Sequence, residues 1–146
     1  MTVTLVAVAF ALTIGQATGT QGGQSYAGTW IADFTGTTYV RLELEGPAAM
    51  LNGRIALGNI EVDKQGEVIK AEPAPRQLTP IFDVAPRTTT MAFSRKDGRD
   101  TDHFEMRLLG NDTAELLFIP SEADRKELVA SGIPVPKPIL LKKVSR

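Results

Sequence analysis

From Tyr26 onward, apolar and polar side chains alternate with a period of two, in short runs that Gly, Pro, Asn or Asp bring to an end. A strand sends successive side chains to opposite faces, so such runs build half-buried strands rather than helices. In Tyr39–Glu45, Val40, Leu42 and Leu44 face a core while Arg41, Glu43 and Glu45 face water. Leu51–Leu57 alternates again, with Gly53 marking a bulge or a close approach of backbone. Gly58-Asn59 turns the chain into Ile60–Asp63, and Lys64-Gln65-Gly66 turns it again into Glu67–Ala71. Thr89, Met91 and Phe93 share one face of the next run. Asp97-Gly98 is a strong hairpin signal for a type I′ turn, with His103–Leu108 as the return strand. Gly110-Asn111-Asp112 makes a second hairpin into Ala114–Ile119, and Ile139–Val144 is the last strand.

One helix interrupts the pattern. Ser121 is a good N-cap, Asp124 stands at the third helical position to complete an approximate capping box, and Gly132 closes the segment. Pro134, Pro136 and Pro138 prevent its resumption. The segment Glu72–Arg87 is irregular in another way. Pro73, Pro75, Pro80 and Pro86 cannot donate to a ladder, so no central strand is expected there. Leu78, Ile81, Phe82 and Val84 make it too apolar for a free linker, and it is expected to pack as a crossover or as a lid over a cavity mouth. Together these signals predict an all-β fold: an antiparallel meander β-barrel of about eight strands with one short helix before the last strand.

Length and composition narrow the chemistry. A chain of 146 residues allows one domain. It has no Cys, which removes disulfides, thiolate metal sites and a thiol nucleophile. Its one His cannot build a multi-histidine zinc site. A net charge of -1 sets up no field that would gather nucleic acid or an anionic membrane.

Residues 1–24 carry no charged side chain, and Val3–Ile14 is a compact apolar run. It is too short for a bilayer span and matches a signal-peptide core, with Gly15, Ala17 and Gly19 as small residues for cleavage. We therefore expect a signal peptide and flexible leader over 1–24, a β-barrel domain over 25–146, and export to the periplasm or the medium.

Gly28-Thr29-Trp30 at the start of the first strand resembles the Gly-x-Trp signature of lipocalins and related calycin barrels. Thr101-Asp102-His103 is similar to the Thr-Asp-Tyr motif of that family, with His in place of Tyr, and the family's disulfide is absent. The order of meander, helix and last strand is also similar. The resemblance implies a barrel whose Trp30 lies at the closed end and a non-enzymatic role in binding.

His103, with Asp100 and Asp102 nearby, is the one candidate for acid–base chemistry. Alternation places His103 with Glu105 and Arg107 on the solvent face, points Asp102 the other way, and offers no Ser or Thr nucleophile beside the imidazole. An enzyme is therefore not expected. Asp97, Asp100 and Asp102 offer calcium-type ligands, but Arg95, Lys96 and Arg99 crowd the same turn, so no metal or other cofactor is expected. Asn111-Asp112-Thr113 is a formal glycosylation sequon read here as turn chemistry. Lys137, Lys142, Lys143 and Arg146 make the tail basic without the aromatics that nucleic-acid stacking needs. Two functions remain. One is binding of a small apolar ligand in a cavity lined by Trp30, Phe82, Phe93, Phe104 and Met106. The other is a solid-core domain that contacts another exported protein through surface loops 72–87 and 131–138.

Overall fold

A computed structural model describes residues 25–144. The expected signal peptide lies outside the described residues. Ten strands and one helix follow in order: β1 (Gly28–Phe34), β2 (Thr37–Glu45), β3 (Asn52–Leu57), β4 (Ile60–Val62), β5 (Val68–Ala71), β6 (Thr79–Pro86), β7 (Thr90–Asp97), β8 (Asp100–Leu108), β9 (Thr113–Phe118), α1 (Glu122–Ser131) and β10 (Ile139–Lys143). Eight of the strands close into an antiparallel barrel in the order β1-β10-β9-β8-β7-β6-β3-β2. The expected barrel, with its helix before the last strand, is what the chain forms.

Alternation sets the interior. Trp30, Val40, Leu42, Leu44, Ile55, Met91, Phe93, Phe104, Met106, Leu108 and Leu116 are all buried, as their places in the period-two runs require. The rings of Phe93 and Phe104 stack with centroids 5.2 Å apart, and Phe118 tilts against Phe104 at 5.0 Å. Offset contacts of this kind add to the area term that dominates such a core.

Two expectations fail, each for a topological reason. The alternating runs Ile60–Asp63 and Glu67–Ala71 read as further strands of the barrel, yet β4 and β5 pair only with each other. They form a hairpin inserted between β3 and β6, and Ile60 and Val62 are half-buried. The proline argument against a strand in Glu72–Arg87 also fails, since β6 occupies Thr79–Pro86 and belongs to the barrel. The missing Pro donors are tolerated because β6 registers with β3 only at Arg54↔Pro80 and Ile55↔Thr79. Its pairing with β7 shifts between Phe82 and Ala85, where Asp83 has a φ of 50°. Only residues 72–78 are a loop.

Turn chemistry is local and follows the residues. The β7–β8 hairpin pairs Asp97 with Asp100, so its loop is Gly98-Arg99, and only Gly98 of the two has positive φ. That is Gly at the first loop position, rather than the expected Asp-Gly pair. Ser121 Oγ accepts from Asp124 N at 3.1 Å, and Gly132 adopts the left-handed conformation that ends α1.

Candidate functional site

Antiparallel pairing sorts the connections into two ends. One end carries the start of β1, the turn at residues 46–51, the β6–β7 turn and the β8–β9 hairpin. The segment before β1 crosses this end and seals it. Trp30 Nε1 donates to Tyr26 O at 2.8 Å, and Tyr26 OH donates to Arg87 O at 2.8 Å. Lys143 Nζ donates to Ser25 O at 2.9 Å and lies 4.7 Å from the centroid of the Trp30 ring. Burial pushes the Lys143 ammonium below its usual range, with Asp112 opposing that shift. A groove of about 590 Å³ opens beside this seal, between Tyr26, Pro47, Ala48, Leu51, Pro86 and Arg87.

The opposite end carries the β4–β5 hairpin, the loop 72–78, α1 and the segment 132–138. The hairpin docks on the proline segment. Lys137 N donates to Gly66 O at 2.9 Å, and Lys137 Nζ pairs with Glu67 Oε1 at 2.9 Å. Gly66 has a φ of 84°, and a Cβ there would stand 2.7 Å from Val135 O, so this junction needs glycine. The loop 72–78 is tied to the same end by Ala74 N donating to Thr38 O at 3.0 Å. Half-buried Phe34, Leu57, Ile60, Val68, Ala71 and Phe118 pack against the core and extend it outward. Above them, Ile119, Val129, Ile133 and Val135 are exposed, Val129 to 76%.

Of the five residues expected to line a ligand cavity, four share the barrel interior and Phe82 lies apart from them. Trp30, Phe93, Phe104 and Met106 belong to the buried core cluster, at 0–1% exposure. None of them lines the groove at the Trp30 end or the cleft beneath α1. Phe82 pairs with Ser94 on the outer side of β6 and is half-buried there, while its neighbour Ile81 is the inward residue.

His103 lies on the outer face, as alternation requires, and Asp102 points the other way. Asp102 Oδ2 accepts from Arg95 Nε at 3.0 Å, and the Arg95 guanidinium lies 5.8 Å from the centroid of Phe104. Asp97 is 3.9 Å from the same arginine. Arg95 therefore neutralises two of the three carboxylates expected as calcium-type ligands. Among the described residues there is no group of three His, Asp or Glu placed to hold a metal ion.

The sequence left His103 without a hydroxyl partner, but Ser94 supplies one. The two residues are register partners, and Ser94 Oγ lies 2.8 Å from His103 Nδ1. The signal for this pair was the hairpin itself, since counting outward from the Gly98-Arg99 loop sets Ser94 opposite His103. Ser94 is buried at 4% exposure and does not line the cleft beside His103. The pair satisfies a buried hydroxyl.

Among the described residues no helix is long and apolar enough to cross a membrane. A scan against protein-family models, a search of the curated proteins and a search of the solved structures each found no match.

Proposed function

We propose that the protein is an exported, non-enzymatic interaction domain: a rigid solid-core barrel that recognises another exported protein at the end bearing α1. The observation that carries this is the filled interior. Phe93, Phe104 and Met106 occupy the space a ligand would need, and close-packed aromatic contacts leave no room without displacing them. Loops 72–78 and 131–138 lie at the same end of the barrel, where Ile119, Val129, Ile133 and Val135 are exposed and Glu122, Arg125 and Lys126 flank Val129. Exposed apolar side chains interspersed with charged ones fit a protein surface. The charge-free run before Ser25 supports export.

Site-specific photocrosslinkers at positions 129 and 133, in the producing cell, test the proposal. One discrete protein adduct is expected at both positions, none at the outward position Ala92 on β7, and loss of the adduct in Val129→Glu. Equal adducts at all positions, or none, would remove it.

A second reading is the lipocalin-like ligand barrel. It is supported by Gly28-Thr29-Trp30, with Trp30 at the sealed end, and by the meander, helix and last strand in that order. It requires the Phe93–Phe104 stack to open. Saturable binding of a neutral apolar fluorophore, abolished by Met106→Trp in a folded protein, would favour it over the interaction domain.

A further inference from the structure

The groove at the Trp30 end has the size of a small-molecule site, within the usual span of about 300–1,000 Å³. Its lining mixes carbon of Pro47, Ala48, Ala49 and Pro86 with polar surface that includes Ser25 and Thr88, above Tyr26 and Leu51, which are themselves buried. Its only charged lining residue is Arg87. No carboxylate of the described residues lies within ion-pair distance of Arg87 or of Lys143. Lys143 is bonded to Ser25 O, and Ser25 is a lining residue, so a second cation stands one hydrogen bond behind the groove. Tyr26 OH is occupied by Arg87 O, which fixes the tyrosine and the backbone of the arginine relative to each other. A trough of mixed carbon and polar lining, with cations at its edge and no acid of its own, complements an anion that carries a carbon chain.

We propose that this groove binds an amphipathic carboxylic acid in monomeric form, an aliphatic chain against Pro47, Ala48 and Pro86 with its carboxylate on the Arg87 guanidinium. A guanidinium holds a carboxylate by paired N–H donors, and the chain gains from leaving water. The site lies outside the barrel, at the end opposite the surface assigned to protein recognition, so it stands or falls separately from that assignment.

Titration of the full chain with dodecanoate, kept below its micelle concentration and followed by calorimetry, tests the proposal. Saturable one-site binding is expected. Arg87→Gln should raise Kd about ten- to a hundred-fold, the range for loss of one charge-assisted hydrogen-bonding partner. Dodecanol, which lacks the charge, should bind the wild type about as weakly as dodecanoate binds Arg87→Gln. Ala48→Trp, at an exposed position, should block the groove while circular dichroism stays unchanged. Arg76→Gln, on the loop at the other end, should bind as the wild type does. The proposal is overturned by no binding below the micelle concentration, by equal affinity for the alcohol and the acid, or by wild-type affinity in Arg87→Gln or in Ala48→Trp.

Discussion

The ammonium of Lys143 lies 4.7 Å from the centre of the Trp30 ring, and the backbones of the two residues are register partners on β10 and β1. The first barrel strand and the last thus meet at an aromatic–cation contact, and the same Nζ reaches back to Ser25 O. Closure of the barrel and sealing of its end are one device. Lys143→Met keeps most of the aliphatic stem and removes the charge. It should cost about 1–2 kcal/mol, the range for a partly desolvated cation–π contact, measured as a shift in the denaturant midpoint.

Stability at alkaline pH has a sign that follows from burial. Tyr26 is held above 10.0 by burial, and Tyr39 by burial with the Asp33 charge adding to it. A folded-state value raised above the unfolded one contributes stability that is complete below pH 10.0 and is lost as pH rises through the folded value. Lys143 acts in the opposite sense below 10.5, because its folded value is lowered and release of its proton favours the fold. Above 10.5 it adds nothing further, and the tyrosines act there together with Lys137, whose proton the Glu67 hydrogen bond retains above the ordinary lysine value. Unfolding free energy should therefore decline once pH passes that point, and Tyr26→Phe should reduce the decline. A rise in stability there would contradict the burial of both phenols.

Phe104 touches Phe93 and Phe118 and carries Arg95 above it. Phe104→Ala should cost about 3–5 kcal/mol and leave a dry apolar cavity. If the variant folds, it should bind benzene saturably where the wild type does not, as calorimetry would show. Benzene binding by the wild type would mean that the interior has room.

Ser94 and His103 form a pair whose coupling can be measured. His103→Ala strands the buried Ser94 hydroxyl, at a cost of about 1–3 kcal/mol. Ser94→Ala should cost less, and the double variant should be close to the single serine variant. A double-mutant cycle on unfolding free energies reads the coupling directly. Additive effects would show that the two groups do not depend on each other.

Gly66 joins the hairpin to the proline segment. Gly66→Ala places a Cβ against Val135 O on a residue with positive φ. It should cost about 1–3 kcal/mol. Amide exchange should speed up at Lys137, whose N–H bonds Gly66 O, while exchange in β7 and β8 stays slow.

Much of this molecule is written in its alternation. Val40, Leu42 and Leu44 on β2, and Phe104, Met106 and Leu108 on β8, lie where period two puts them. The bounds of α1 follow from Ser121 and Gly132, residues whose preferences act within one turn of chain. The strand in Thr79–Pro86 was not legible, because proline speaks only to its own missing donor and not to how few partners β3 asks of that strand. Nor was it legible whether Trp30, Phe93, Phe104 and Met106 leave a space between them or close it. Alternation states which residues face inward but not whether they meet.

By itself, then, the sequence determined the inward and outward faces, the turns and the helix caps, since each depends on neighbours a few residues away. Tertiary structure alone decided three things: that β4 and β5 leave the barrel, that Ser94 meets His103, and that Arg87 overlooks a groove beside Lys143. Those depend on strand order and on how side chains fill a closed volume, and both are set by contacts between residues far apart in the chain.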